Sequence, residues 1–236
     1  MSAPTDSVAL YASSLGHLIR PRTVIVEGTS DVEIFELASN LLMADSGIKL
    51  LDDEFTLVAA GRGDQGGVNG VVREFIALRA MGRTCLLANG RAKYRFMALL
   101  DNDHAGRMGA KLLRSVDSSV VEYRDVFRLQ PVMPIPGMLD PGTVEAAFIR
   151  ENAGAKGLDW ELEDLIDEGL VQDFLCENHG VVRETRKVGN YVHREFTPDG
   201  KAKLLQHVKR NAMLADLGGV VEALRAVRYL AGASKK

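Results

Sequence analysis

Cysteine is scarce in this sequence and lies in no recognisable pattern. Cys85 and Cys176 are far apart and form no C-x-x-C pair, which argues against a disulfide framework and against a cysteine zinc site. Long hydrophobic runs are lacking too, because none approaches the roughly 20 residues that a membrane-spanning helix needs. Residues 1–7 lack the basic and then apolar layout of a secretory signal. We therefore expect a cytoplasmic protein without a membrane partner.

An excess of charge of one sign is also lacking. The formal net charge is −3, which argues against a protein that coats nucleic acid over its whole surface. Basic residues do collect over 181–211, however, whereas 151–177 is mostly acidic. This asymmetry is compatible with an acidic metal site beside a basic substrate track, and equally with solvated helix faces. The candidates for nucleic-acid contact in the basic stretch are Arg183, Arg186, Lys187 and Arg194.

In the stretch 23–31, two carboxylate residues, Glu27 and Asp31, follow an apolar, β-branched run. The run predicts a strand buried on both faces of a parallel sheet, and the residues after it predict a helix. Ser30 and Glu33 have the spacing of a capping box at that helix start. Glu27 is therefore expected at the carboxyl end of a strand and Asp31 in the first helical turn. Open α/β sheets bind their ligands in this crevice.

A second apolar run, 96–100, ends in a D-x-D formed by Asp101 and Asp103. Two parallel strands that end in these acids and in Glu27 would gather carboxylates at one edge of a sheet. Hard cations such as Mg²⁺ prefer such oxygen ligands. His104 follows the D-x-D and is either an acid or base there or simply the end of the loop.

The remaining pattern predicts strands that alternate with helices, and hence an α/β fold with a mostly parallel sheet flanked by helices. A β-hairpin is predicted over 181–196, with its turn at 189–190. A hairpin that leads into a helix also occurs in winged-helix DNA binders. We divide the chain into an N-terminal helical lead-in (1–20), an α/β core (21–142) and a C-terminal helical and hairpin extension (143–236). Further strands are predicted over 55–60, 120–123 and 126–129, and helices over 8–19, 31–44, 68–81, 158–166, 201–213 and 214–230.

A glycine-rich turn lies at 61–67, after the predicted second strand. Its backbone N–H groups could cradle a phosphate, with Arg62 adding positive charge. The turn does not match the G-x-x-x-x-G-K-[ST] pattern of an ATP-binding loop. An ordinary turn explains the glycines equally well.

These motifs together resemble the TOPRIM domain, the α/β module shared by topoisomerases, bacterial primases, recombination mediators and OLD-family (overcoming lysogenization defect) nucleases. The resemblance lies in Glu27-Gly28 after the first strand and in the D-x-D of Asp101 and Asp103. Asp31 completes the E-G-x-x-D version, which is most similar to the OLD-type nuclease branch.

The resemblance implies a metal-dependent phosphodiesterase or endonuclease that uses Mg²⁺ or Mn²⁺ and favours DNA over RNA. The metal ligands would be Glu27, Asp31, Asp101 and Asp103. In OLD-like enzymes an acid further along the chain joins the site, and Glu163 in the segment 162–165 is similar to it. Such enzymes also carry a late lysine, for which Lys201 and Lys203 are the candidates.

OLD nucleases usually carry an ATPase domain, for which this sequence has no counterpart. The resemblance therefore implies a separate ATPase partner and a role as the effector of an antiphage defence system. Two other functions remain open: a non-catalytic nucleic-acid-binding or recombination-mediator protein, and a metal-dependent phosphotransferase that acts on small nucleotides. Assembly into a homo-oligomer is open as well.

Overall fold

The computed structural model describes residues 6–61 and 66–234, and it contains two β-sheets and the helices that surround the larger one. The strands are β1 Arg22–Val26, β2 Phe55–Ala59, β3 Arg95–Leu100, β4 Val126–Arg128, β5 Val182–Val188 and β6 Tyr191–Phe196. The α-helices are α1 Ser7–Ser14, α2 Thr29–Ser46, α3 Gly67–Gly82, α4 His104–Val116, α5 Pro141–Glu151, α6 Glu168–Glu177, α7 Pro198–Asn211 and α8 Gly218–Leu230. Short 3-10 helices cover Ala153–Ala155, Leu162–Leu165 and Ala215–Leu217.

The larger sheet has four strands in the order β2-β1-β3-β4, and every neighbouring pair is parallel. Helices connect the strands, as parallel pairing requires. The sequence prediction of an α/β fold with a mostly parallel sheet flanked by helices is therefore confirmed, and the arrangement is consistent with a Rossmann-like layout. The predicted hairpin is confirmed too, since β5 and β6 pair antiparallel across a two-residue turn.

The sheet is buried on both faces, because successive residues of its strands enter two different hydrophobic clusters. Val24 and Val26 of β1 pack in one cluster with α2 and α8. Ile25, between them, packs in the other with α3 and α4. This arrangement explains why the central strand is a continuous apolar run.

The segment after residue 143 shares one of these cores. Leu224 and Val227 of α8 are fully buried in the same cluster as Phe35 of α2. The C-terminal helix α8 therefore packs against α2, the helix that follows Glu27, and helps to hold it against the sheet. The division of the chain at residues 20 and 142 stays a prediction.

Three local predictions are wrong. The helix predicted over 8–19 ends at Ser14. Residues 120–123 form an isolated bridge between Glu122 and Val126 rather than a strand, and Tyr123 adopts a left-handed φ of 64° that ends extended structure. The helix predicted over 158–166 is only the 3-10 turn Leu162–Leu165. None of the helices in the described ranges is long and apolar enough to cross a membrane.

Candidate metal centre

The carboxyl ends of β1 and β3 bring Glu27 and Asp101, two of the predicted metal ligands, together. The two strands are parallel neighbours, with Ile25 opposite Ala98, so their chains leave the sheet at the same edge. There the main-chain N–H of Asp101 donates a hydrogen bond to Oε1 of Glu27 over 3.0 Å. The structure thus places Glu27 and the D-x-D loop in direct contact.

Asp31 turns back toward the same strand end because it caps its own helix. Gly28 is the N-cap of α2, and its N–H donates to Asp31 Oδ2 over 2.9 Å. The Ser30 hydroxyl donates to Asp31 Oδ1 over 3.3 Å. The predicted capping box of Ser30 and Glu33 is therefore wrong, and Glu33 forms an ion pair with Lys209 of α7 instead. These two hydrogen bonds fix the carboxylate of Asp31 near Glu27.

The D-x-D loop bends sharply into α4. Asp103 is the N-cap of α4, and its Oδ1 accepts a hydrogen bond from the N–H of Gly106 over 2.6 Å. A Cβ at Gly106 would lie 1.9 Å from the carbonyl oxygen of Asp101, so any side chain at this position would displace the loop. His104 is the first residue of α4 and is exposed. The close turn thus holds Asp101 and Asp103 beside the strand ends.

Glu27, Asp31 and Asp101 line one small cavity of about 10 Å³. A cavity needs roughly 10–15 Å³ to hold a single water molecule. The space between the carboxylates is therefore about large enough for one water molecule or one metal ion. The other walls are apolar side chains, which remove the carboxylates from bulk water. The remaining lining residues are Val26, Phe35, Leu99, Leu100, Leu129 and Leu162.

Burial and mutual repulsion make these acids hard to ionise. Burial raises the pKa of Glu27, and the carboxylates of Asp31 and Asp103 raise it further, to about 7, against the opposing hydrogen bond from Asp101. Burial and the carboxylate of Glu163 raise the pKa of Asp31 to about 6. The pKa of Asp101 lies well above its ordinary value because of burial and then of Asp31 and Glu27. A positive charge at the cavity would relieve this repulsion.

Lys201 brings one positive charge to the cluster from the first turn of α7. Its Nζ lies 3.1 Å from Glu161 Oε2 and 3.4 Å from Glu163 Oε1. Burial alone would lower the pKa of Lys201, but the carboxylates of Glu163, Asp101 and Glu161 raise it above its ordinary value. Lys201 is therefore charged at neutral pH. The structure also separates the two lysine candidates, since Lys203 is exposed and pairs with Asp199.

Glu161 is a member of the cluster that the sequence reasoning missed. Its Oε2 is buried, and the ammonium of Lys201 lies 3.1 Å from it. The main-chain N–H of Asn102 donates to the carbonyl of Trp160 over 2.8 Å, which fastens the segment of Glu161 to the D-x-D loop. The spacing of Glu161 two residues before Glu163 in the sequence could have indicated that both belong to the cluster.

The basic residues of the hairpin are largely neutralised by acids. Arg183 pairs with Glu195 over 3.0 Å. Arg194 is only 8% exposed, and its guanidinium pairs with Glu168, so it is not free to contact a nucleic acid. The three other residues predicted to contact nucleic acid differ in their surroundings. Arg186 pairs with Glu184 over 2.8 Å, and Lys187 is exposed. Arg62 lies outside the described residues.

The residues fit a hard cation in chemistry but do not form a finished coordination shell. Among residues 6–61 and 66–234, no three His, Cys, Asp or Glu side chains already stand as a metal-ligand group. What the structure does provide is a cavity of about one water molecule lined by three carboxylates, with Glu163 and Lys201 close enough to act on their charge. Carboxylate oxygens in this number suit Mg²⁺ or Mn²⁺.

Comparisons with models of known protein families, with curated proteins and with solved structures find no match to this chain.

Proposed function

We propose that this chain is a divalent-metal-dependent nuclease that hydrolyses phosphodiester bonds of nucleic acid, with DNA as the favoured substrate. The observation that supports it most directly is the convergence of Glu27, Asp31 and Asp101 on one small cavity beside Lys201. Like charges gathered in this way need a cation or protons to coexist. At neutral pH Mg²⁺ or Mn²⁺ is the natural complement of such a donor set.

Glu27, Asp31 and Asp101 would hold the ion, with Asp103 and Glu163 completing the acidic cluster. Bound there, a divalent cation supplies Lewis-acid chemistry, in that it lowers the pKa of water and offsets charge on a phosphate. Lys201, held by Glu161 and Glu163, adds a fixed positive charge that would stabilise the charge that develops on the scissile phosphate. Its position is set before substrate arrives, so the chain does not need to reorganise.

The order and placement of the acids support a TOPRIM fold of the OLD type. Glu27 and Asp101 follow adjacent parallel strands, as that resemblance requires, and Asp31 lies in α2, the helix that follows the first of these strands. A cytoplasmic location, a separate ATPase partner and a role in antiphage defence belong to this proposal by resemblance alone.

The direct test is cleavage of plasmid and single-stranded substrates in Mg²⁺, in Mn²⁺ and in EDTA. Glu27→Gln and Asp101→Asn keep the shape of each side chain and remove its charge, and Glu36→Gln, at an exposed position of α2, is the matched control. We expect cleavage that needs metal, is lost in both site variants and persists in the control.

Other outcomes identify the competing functions. Binding without cleavage, unchanged by the site variants and steeply dependent on salt, would indicate the non-catalytic nucleic-acid-binding protein. Turnover of free nucleotides without cleavage of polymers would indicate the phosphotransferase. Either result would contradict the nuclease.

A further inference from the structure

Helix α4, which follows the D-x-D directly, carries basic residues and no acidic one. Arg107, Lys111 and Arg114 are its charged residues. The side of α4 that faces the sheet consists of small and apolar residues, so the charged side chains lie on the opposite side. The buried residues of α4 are Gly106, Gly109, Ala110 and Leu113.

The three basic residues form one row. Their spacings of four and three residues place them on the same side of an α-helix. At a rise of about 1.5 Å per residue the row extends over about 10 Å. It begins at the D-x-D loop, because Arg107 Nη1 donates to the carbonyl of Asn102 over 3.0 Å. We call Arg107, Lys111 and Arg114 the α4 basic row.

The outer two members of the α4 basic row have no acidic partner. Lys111 and Arg114 are both exposed, and in the described part of the chain neither forms a salt bridge. Arg107 is anchored by Asp159, whose Oδ1 lies 2.8 Å from its Nη1. Unneutralised basic side chains in a row are the electrostatic feature that a polyanion would use.

The hairpin differs in this respect. Arg183 and Arg194 of the hairpin are paired with acids, whereas Lys111 and Arg114 are not. Arg186 connects the two surfaces, since its Nη1 lies 3.5 Å from the second oxygen of Asp159. The hairpin and α4 therefore flank the segment that carries Asp159, which lies beside the D-x-D.

We infer that the α4 basic row binds the phosphate backbone of duplex nucleic acid and leads it to the D-x-D. Each strand of a duplex presents a phosphate about every 3.4 Å along its axis, so a row of about 10 Å meets about three. The contact is to backbone and carries no sequence preference. Guidance to the carboxylate cluster, and the choice of nucleic acid over an acidic protein, rest on the proposed nuclease function, whereas the binding measurement below does not require cleavage.

An acidic protein is the competing occupant of this face. Beside the basic row α4 exposes apolar side chains, with Met108 50%, Leu112 41% and Val116 57% exposed. Nucleic acid is favoured because Arg107 contacts the D-x-D loop itself, where the phosphates of a substrate must pass.

The test compares Lys111→Glu/Arg114→Glu with a matched control, Arg91→Glu/Arg210→Glu. The control changes net charge equally at two exposed arginines that also lack salt bridges among the described residues. Binding of a fluorescein-labelled 20-base-pair duplex is measured by anisotropy in EDTA at several salt concentrations. We expect the α4 variant to bind at least about 10-fold more weakly, with the slope of log K against log salt reduced in magnitude by about 2. The control should bind as the unmodified protein does.

Because the measurement is made in EDTA, it separates the two proposals. Loss of binding in the α4 variant supports the row even if the unmodified protein never cleaves, in which case the nuclease proposal fails alone. Equal binding by the unmodified protein and the α4 variant overturns the row, and so does equal loss in the control. An α4 variant that keeps its affinity for the duplex but changes its elution volume in gel filtration also overturns it, in favour of a protein contact.

Discussion

The main-chain N–H of Asp101 donates a hydrogen bond to the carboxylate of Glu27 over 3.0 Å, across 74 residues of sequence. This bond joins the carboxyl ends of two neighbouring parallel strands. Glu27 therefore both fastens the D-x-D loop to β1 and contributes negative charge to the cluster. The two roles can be separated, because an amide oxygen accepts the same hydrogen bond without the charge.

Glu27→Gln should abolish activity without loosening the site. The glutamine can still accept the hydrogen bond from Asp101, but it removes a metal ligand. Loss of an outer-shell partner alone costs about 10–100-fold, so we expect loss of the ligand to lower metal-dependent cleavage by at least about 100-fold. In the absence of metal at pH 8, the variant should be more stable than the unmodified protein, by about 1–3 kcal/mol, because one repelling charge is gone. Urea unfolding measures the stability. A destabilised variant under these conditions would contradict the account of the cluster.

The metal-free protein should lose stability as the pH rises from about 4.5 to 7. The pKa of Glu27 is raised from 4.5 to about 7 by burial and by neighbouring acids. In this range the Glu27 carboxyl of the folded protein keeps a proton that the unfolded chain has released, so the free energy of unfolding falls as the pH rises. Thermal unfolding in EDTA across this range measures the effect.

Addition of Mg²⁺ or Mn²⁺ should reverse that loss at pH 8, because the folded protein binds the ion and the unfolded chain does not. The same salt concentration of NaCl is the control. A melting temperature that rises with pH in EDTA, or that ignores the divalent ion at pH 8, would show that the acids are not poised for a cation.

Lys201→Met should reduce both activity and stability, whereas Lys203→Met should change neither by much. Lys201 offsets the charge of two largely buried glutamates, Glu161 and Glu163, and its loss leaves them unpaired. Since about a third of its side chain is exposed, we expect a loss of about 1–3 kcal/mol rather than the full cost of a broken buried pair, roughly 3–5 kcal/mol. Urea unfolding at pH 7 and cleavage rates check both variants. Equal effects at the two lysines would contradict the assignment.

Gly106→Ala should disable the site through the backbone. A Cβ there would lie 1.9 Å from the carbonyl oxygen of Asp101, so the D-x-D loop must move. We expect loss of cleavage and a destabilisation of roughly 1–3 kcal/mol. The control is Gly218→Ala at the start of α8, where no described atom outside its chain neighbours and its own helical backbone lies within 4 Å of the added Cβ, so stability should be unchanged or slightly raised. Full activity in Gly106→Ala would show that the loop geometry is not required.

The strand ends could be predicted from the sequence because the information is local. An apolar run followed by an acid and a glycine defines both the end of the strand and the turn that follows, as at Glu27 and Gly28. Parallel strands that connect through helices then leave the sheet at one edge, which is why Glu27 and Asp101 could be placed together. The N-terminal cap of α2 could not be predicted in the same way. Asp31 accepts the hydrogen bond from the N–H of Gly28, and Glu33 pairs with Lys209, which is distant in the sequence.

The remaining members of the site depend on contacts between distant residues. Lys201 reaches Glu161 from a helix 40 residues later in the sequence, and Lys203 differs from it only in the direction in which the helix points the side chain. Likewise, Arg194 appeared basic and available in the sequence, yet Glu168 neutralises it. Charge in a sequence does not reveal its partner, so exposed basic side chains without a salt bridge to any described residue, such as Lys111 and Arg114, had to be located from the structure.

The most direct measurement is a crystal structure of the protein grown in Mn²⁺, with anomalous data that identify the ion. We expect an anomalous peak at the cavity formed by Glu27, Asp31 and Asp101, with carboxylate oxygens within about 2.3 Å of it. A structure grown in Mn²⁺ with no anomalous peak there, and with Lys201 as the only cation near the three carboxylates, would contradict it.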